Sequence, residues 1–383
     1  MHFKCVAKNI ATKNIAIIKM NNPFKFGSVV DDPFFTNRTE ELAKIEAILN
    51  SNNHLIMISP RRFGKTSLIK KAVKTGSREI LFLDLQLINS IEDFAAQYLR
   101  RIYRIFPSER IKQFIRNFRI IPTLSVNPVS SEMEISFQNT GADLPLLEDV
   151  LNLLDHLSDP VNRTIVVFDE FQDIMRLGIG IDRKLRAIMQ LHQNINYIIL
   201  GSQESMMREI FEKKKSPFYH FGQLFPLPKI EKEHFKSFIN AGLNNVCSNP
   251  DQIADDILNF TDGHPYYTQQ LAYTIWNILN QKQVVLKPVE QAISETIQIH
   301  DFDYERLWAT IKNTDKKILV NLAQRNNHHM ISPLARAANI GPVSTVFSSL
   351  KRLMQNGNVI KSEQGYEIDD PFFKLWIIER RNL

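Results

Sequence analysis

Ser59-Pro60-Arg61-Arg62-Phe63-Gly64-Lys65-Thr66 is a string whose residue types and spacing suit it to grip a phosphate. It matches G-x-x-x-x-G-K-[ST], in which backbone N–H groups cradle nucleotide phosphates, with serine in place of the first glycine. In that pattern the lysine, here Lys65, reaches the β- and γ-phosphates, and the hydroxyl residue, Thr66, ligates Mg²⁺. A phosphate loop needs a partner that holds the metal and orients a water. The run Thr164-Ile165-Val166-Val167-Phe168-Asp169-Glu170 supplies one, delivering two carboxylates at the end of an apolar stretch. Asp169 is placed to hold Mg²⁺, and Glu170 to act as general base on the attacking water. A third polar group follows the run Tyr197–Leu200, where Ser202 is set to contact the γ-phosphate or the lytic water. Ser202 equally suits the N-cap of a helix over Met206–Glu212, and one residue could serve both.

These groups work only if the chain holds them at one edge. His54–Ile58 reads as a buried strand and Ser67–Val73 as a helix, so a bound anion would sit on that helix N-terminus. From about residue 35 to residue 225 strand-like and helix-like segments alternate, the pattern of a parallel α/β sheet. The strands are expected at Leu55–Ser59, Glu79–Leu85, Thr164–Asp169 and Tyr197–Gly201. A hairpin is expected from Ile120–Val126 and Glu132–Phe137 around Asn127-Pro128. From Lys232 to about Ile299 the pattern is helical, broken by Gly263-His264-Pro265. Beyond Tyr304, three short helices (Thr314–Gln324, Ser332–Asn339 and Pro342–Gln355) precede strand-like Asn358–Ser362 and Tyr366–Ile368. That succession makes a winged helix–turn–helix. Its third helix opens at Gly341-Pro342, with Val343, Val346, Phe347, Leu350, Leu353 and Met354 on the core face. Ser344, Thr345, Ser348, Lys351 and Arg352 take the other faces.

Composition bounds the rest. A chain of 383 residues, 44% hydrophobic and 23% charged, is an ordinary globular protein of two or three domains. Its net charge of +6 permits an acidic partner without demanding one. Two cysteines, Cys5 and Cys247, make no disulfide framework and fit a reducing cytoplasm. No apolar run approaches the ~20 residues of a membrane span, so no membrane partner is expected. The first nineteen residues carry four lysines and no acid, and the cluster Ile15–Ile18 is too short for a signal-peptide core. Met20 is a second plausible start, so residues 1–22 read as an N-terminal arm.

The chain resembles the archaeal-type AAA+ ATPases of the STAND class over nearly its whole length. Phe35-Thr36-Asn37-Arg38-Thr39-Glu40-Glu41-Leu42 is similar to that family's F-x-x-R-x-x-E-L box, and Ser59–Thr66 to its G-P-R-R-x-G-K-[ST] loop. Val167–Phe171 resembles its Walker B strand, Gly263-His264-Pro265-Tyr266 its G-H-P lid signature, and Asp370–Trp376 the motif ending its winged helix. The resemblance implies an ATPase core over 23–228, a helical lid over 229–303 and a winged helix over 304–383. It implies that Arg38 lies where the chain wraps the adenine. Ser59, Pro60, Arg61, Arg62, Phe63, Gly64, Lys65, Thr66 and Ser67 would hold ATP or ADP with Mg²⁺, and His264 and Pro265 would meet the nucleotide from the lid. The pair Tyr266-Tyr267 reads as lid core.

Two departures set expectations. Ser59 in place of glycine restricts a turn that favours a residue without Cβ. Relatives carry Y-G-R after the sensor helix, whereas Pro217-Phe218-Tyr219-His220-Phe221-Gly222 has no arginine. Basal hydrolysis is then slow, or Arg208 or the Lys213-Lys214-Lys215 run substitutes. The leading reading is a Mg²⁺-ATP-binding ATPase used as a nucleotide-gated switch. A DNA-binding regulator whose winged helix contacts DNA, or a signalling or defence-type scaffold recruiting a protein partner through the winged helix, stays open, as does a homo-oligomer. Residues 301–383 carry 12 Lys and Arg against 9 Asp and Glu, a thin excess for a DNA footprint.

Overall fold

The computed structural model describes residues 21–74, 76–126, 133–138, 141, 143–281, 285–324, 342–362 and 365–381. Along the core the strands are β1 (Leu55–Ile58), β2 (Ile80–Asp84), β3 (Thr123–Val126), β4 (Met133–Ser136), β5 (Thr164–Asp169), β6 (Ile195–Gly201) and β7 (Gln223–Pro226). β3 and β4 form a separate antiparallel hairpin, with Leu124 opposite Ile135. The other five pair in parallel in the order β2-β5-β6-β1-β7. The expected strands are all present. The edge strand β7 has no apolar run to betray it, since only Phe225 of its four residues is buried.

Alternation along the strands builds two cores. Leu55 and Met57 face one side, where α1 (Thr39–Asn50) and α2 (Lys65–Lys74) contribute Ile45, Ile48, Leu68 and Ile69. Ile56 and Ile58 face the other, under α3 (Ile91–Ile105), α4 (Ser108–Ile115), α5 (Asp143–Leu157), α6 (Ile181–Met189) and α7 (Glu204–Phe211). The chain leaves β1 for the β2 edge, returns through β5 and β6, and ends beyond β1 at β7. Strand order therefore reverses at β1, and the carboxyl ends there form the crevice where open α/β sheets take ligands.

A third core joins the remaining elements. It includes Phe24 and side chains from α8 (Lys232–Leu243), α9 (Pro250–Thr261), α10 (Pro265–Asn280) and α11 (Pro288–Thr310). The same core continues into α12 (Asn313–Gln324), α13 (Val343–Gln355), β8 (Val359–Ser362), β9 (Gly365–Ile368) and α14 (Pro371–Arg380). α11 is one helix running across position 303, so the helices before it and the winged helix after it are joined by a continuous element. Asp370 caps α14 by accepting from the N–H groups of Phe372 and Phe373 at 2.9 and 3.1 Å. The expected helix Ser332–Asn339, Gly341, Cys5, Asn127-Pro128 and residues 1–20 of the arm lie outside the described residues. Asn22, at the arm's end, donates to the carbonyl of Tyr273 at 3.0 Å.

One face differs from expectation. On α13, Val346, Ser349, Leu350 and Leu353 are buried, whereas Val343 and Phe347 are 50% and 53% exposed. The buried positions are spaced i, i+3, i+4 and i+7, a single helical stripe that includes a serine and leaves Phe347 about 100° to one side.

Candidate functional site

The loop after β1 turns through two left-handed residues, Arg62 (φ 65) and Gly64 (φ 86), before α2 begins at Lys65. Ser59 is not left-handed. Its side chain is buried, and its hydroxyl donates to the Pro60 carbonyl at 3.3 Å. The restriction expected from serine there does not arise, because the position needs no positive φ. Lys65 is buried and bends back over the loop, its Nζ donating to the carbonyls of Ser59 at 2.8 Å and Pro60 at 2.7 Å. Burial lowers its pKa to about 8, against the pull of Glu170 and Asp169.

The carboxyl end of β5 brings the acids to this loop. Thr66 Oγ1 donates to Asp169 Oδ2 at 2.9 Å. Burial pushes the Asp169 carboxyl up, and the Thr66 bond opposes that only in part. Glu170 is itself left-handed, at φ 51. Its Oε2 accepts from Ser202 Oγ at 2.7 Å, from the Ser202 N–H at 3.1 Å and from Gln172 Nε2 at 2.6 Å. Burial raises its pKa, but these donors and the Lys65 charge outweigh it and hold the carboxyl below the usual range. The N-cap of α7 is Gln203, with no side-chain capping bond. Ser202 spends its hydroxyl on Glu170, so the capping alternative is not realised.

In front of these groups lies a cavity of about 470 Å³. Its walls include Arg61–Leu68, Glu170, Thr36, Arg38 and Pro265, Tyr266 and Gln269 from the start of α10. A further wall comes from Lys25–Val30, a stretch with no motif to signal it. It is tied down by Val30 N–H donating to Ser67 Oγ at 2.9 Å and Lys25 N–H to Gln269 Oε1 at 3.1 Å. Ser59, Pro60, Asp169 and Ser202 stand behind this cavity rather than in its lining. Arg38 is buried and left-handed, its guanidinium donating to Glu41 at 2.6 Å and to the Pro228 carbonyl at 2.8 Å.

His264 corrects the reading taken from the lid motif, because it does not line the cavity. It caps α10, its Nδ1 accepting from the N–H groups of Tyr266 at 3.2 Å and Tyr267 at 3.5 Å. Its Nε2 lies 3.5 Å from Asp369 beside the winged helix, and its ring meets Phe63 edge-on at 4.8 Å. Packing fills the side of His264 that the motif alone would turn to nucleotide. Tyr266 packs half-buried against the same core and also lines the cavity, whereas Tyr267 is fully buried, as expected. Gln172, the third partner of Glu170, also lacked any sequence signal.

A second cavity, of about 490 Å³, opens on the far side of the loop toward the winged helix. Arg61, Arg62, Ser202, His300, Asp303 and Asn356 are among its walls. Arg62 Nη1 donates to the Tyr267 hydroxyl at 2.9 Å, and its guanidinium lies 4.6 Å from the Tyr266 ring centre. Neither expected substitute cation is in the lining of either cavity: Arg208 pairs with Glu212 at 2.7 Å, and Lys213, just past the end of α7, with Glu209. On α13, Arg352 is committed to buried Asp315 at 2.6 Å.

Residues 35–271 match a family model described as an ATPase domain predominantly from Archaea, and residues 302–379 one described as a probable winged helix domain. An uncharacterized protein of Methanocaldococcus jannaschii is 24% identical over 302 residues, which make up 76% of this chain and 55% of that protein. The chain thus spans about half the length of the curated relative it matches. Among solved structures, a Walker-type ATPase of Pyrococcus abyssi superposes with a TM-score of 0.65 at 18% identity, covering 92% of this chain and 99% of that one. The Aeropyrum pernix ORC2 protein, in ADPNP–ADP complexes, gives 0.52 at 15% identity, over 94% and 99% of the two chains. These structures share the fold of a parallel sheet core followed by a winged helix. No helix among the described residues is long and apolar enough to cross a membrane.

Proposed function

The chain belongs to the family of ATPase domains found predominantly in Archaea, and from that premise we propose that it binds Mg²⁺-ATP, hydrolyses it slowly and acts as a nucleotide-gated switch of the STAND class. The observation that carries this reading is the meeting of Thr66 and Asp169 at 2.9 Å, from elements 103 residues apart, at the mouth of the Arg61–Leu68 loop. A hydroxyl and a carboxylate are hard oxygen donors, and they suit Mg²⁺, which takes few protein ligands and fills the rest with phosphate and water. When bound there, the ion would neutralise charge on the β- and γ-phosphates.

The remaining steps belong to side chains. Lys65 leaves the loop carbonyls for the β/γ-phosphates, exchanging neutral acceptors for charged ones. Glu170, released by Ser202, takes a proton from the attacking water, and Ser202 turns to the γ-phosphate. ATP fills the cavity between the sheet edge and Pro265, Tyr266 and Gln269, so its presence sets the seat of the lid. We read residues 23–228 as the ATPase core, 229–303 as the lid and 304–383 as the winged helix. The protein works in the cytoplasm, with a protein partner or a second copy engaged through the winged helix. DNA contact has less support, since Arg352 is held by Asp315.

Lys65→Ala is expected to abolish ATP binding in calorimetric titration, while Glu170→Gln keeps binding and loses turnover. Unchanged nucleotide affinity in the Lys65 variant would sink the site. Mass measured by light scattering with ADP and then ATP reads assembly, and an identical mass in both argues for a monomeric switch.

A further inference from the structure

We propose that Arg61 is the catalytic cation of this site: its guanidinium, carried by the phosphate loop itself, stabilises the charge that develops on the γ-phosphoryl group during hydrolysis. The inference rests on the reading of the cavity as an ATP site. The segment Pro217–Gly222 has no arginine to lend to a neighbour. The cation must come from elsewhere, and among the described residues around the cavity, the phosphate lysine Lys65 aside, Arg61 and Arg62 have no carboxylate partner; Arg62 is held by Tyr267 at 2.9 Å and lies over the Tyr266 ring, which leaves Arg61 the less committed of the two.

Lys25 pairs with Asp31 at 3.6 Å, Arg38 with Glu41, and Arg62 binds Tyr267, while Lys65 is the loop's own phosphate lysine. Arg61 is exposed, and among the described residues no carboxylate lies within ion-pair distance of it. Like Arg62, it lines both cavities. Its Nε donates to Ser202 Oγ at 3.4 Å, and that oxygen donates in turn to Glu170 Oε2 at 2.7 Å. Guanidinium, sensing hydroxyl and base carboxylate therefore form one contiguous chain. That chain is long and weak at its Arg61 end, so a phosphate oxygen readily displaces the hydroxyl.

The step balances without any further reactant. The water oxygen bonds to the γ-phosphorus as the bond to the bridging oxygen breaks, and ADP leaves with that electron pair. The water proton passes to Glu170. Negative charge grows on the bridging and γ-oxygens, and a guanidinium offers them several N–H donors in a fixed plane. Supplied from the same chain, it is in place before ATP arrives and needs no second subunit.

The test uses the full chain with Mg²⁺. Arg61→Ala is expected to lower single-turnover hydrolysis on the order of 10²–10³-fold, the loss typical of one preorganised donor to a developing charge. ADP affinity should stay within about threefold, while the extra affinity for ADP–fluoroaluminate over ADP is lost. Arg61→Lys should recover part of the rate, because the charge survives without the planar fork. Arg208→Ala, paired along its helix and in neither cavity, should hydrolyse at the wild-type rate. Wild-type turnover in Arg61→Ala overturns the proposal. So does a loss of ADP affinity equal to the loss of rate, which would make Arg61 a ground-state contact. A wild-type rate per chain that climbs with protein concentration, unchanged in Arg61→Ala, assigns the cation to a second copy instead. If the wild type binds no ATP, the reading of the cavity fails along with it. If Lys65→Ala is dead and Arg61→Ala is not, only the role of Arg61 falls.

Discussion

Ser202 holds Glu170 through both its hydroxyl and its backbone N–H, so the carboxylate we propose as base is parked rather than aimed. Removing the hydroxyl leaves the backbone donor and Gln172 in place, and takes away the group that would hand the carboxylate over to water. Ser202→Ala is expected to slow hydrolysis roughly 10- to 100-fold, the worth of one hydrogen bond to a charged group. ATP affinity in equilibrium titration should change little. Ser59 supports a different expectation. Because it sits at an ordinary φ, restoring glycine brings no gain in phosphate binding and adds freedom to the unfolded chain. Ser59→Gly should lower stability by about 0.5–1 kcal/mol, read from a denaturant midpoint, with ATP affinity unchanged. A tighter-binding variant would show that serine does restrict the loop. The serine, the lysine, the threonine and the two acids were all legible in sequence, since each sits at fixed spacing beside a strand. Gln172 was not, because a glutamine two residues past Glu170 becomes its partner only through a local turn of 3₁₀ helix.

The elements meet at a few tight junctions. Gly263 ends the α9 turn at φ 69, and a Cβ there would stand 2.6 Å from the Ile230 carbonyl oxygen. Two penalties combine, backbone strain and contact with a main-chain atom that cannot swing away. Gly263→Ala should cost about 2–4 kcal/mol, measured by urea unfolding. In the winged helix, Asp315 of α12 is 4% exposed and accepts from Arg352 of α13 at 2.6 and 3.1 Å. Burial pushes this carboxyl up, but the bonds from Arg352 and Ser349 outweigh it and hold it below the ordinary range. A depressed folded pKa contributes stability in full above the unfolded value of roughly 3.9, and that stability fades as pH falls through the folded value. Asp315→Asn should therefore be less stable at pH 7 and should show a flatter decline in melting temperature below about pH 4. An identical acid profile in the two proteins would remove the pair from the account. The helices α12 and α13 were legible as helices; which way α13 turns its face was not. A spacing rule admits Phe347 and Val343 to the core, and only the packed neighbours select Ser349 instead.

Across the whole molecule, the phosphate loop, the helices α9 and α10 and the winged helix are joined by a short series of polar contacts. Arg62 reaches Tyr267, the adjoining cap His264 faces Asp369, and Lys229 bonds Asp262 and Glu367 at 3.0 Å each. If nucleotide state is passed from the loop to the winged helix, the Tyr267 hydroxyl lies on the route. Tyr267→Phe keeps the ring in its core. It should leave ATP affinity within about threefold, yet reduce the difference in protease sensitivity of the winged helix between ADP and ATP. An undiminished difference would mean that the two parts communicate by another path. The sequence by itself determined the chemistry and the layers: a phosphate loop after one strand, carboxylates after another, a helical section and a winged helix. Those features follow from residues close together in the chain, where spacing fixes which backbone and side-chain groups share an edge or a face. The tertiary structure decided the rest. It walled the cavity with Lys25–Val30, added β7 to the sheet, set His264 beside Asp369 and, among the described residues, left Arg61 bonded to Ser202 with no carboxylate in ion-pair distance. Each of those outcomes depends on which distant surface arrives to bury or pair a group, and no local pattern encodes that arrival.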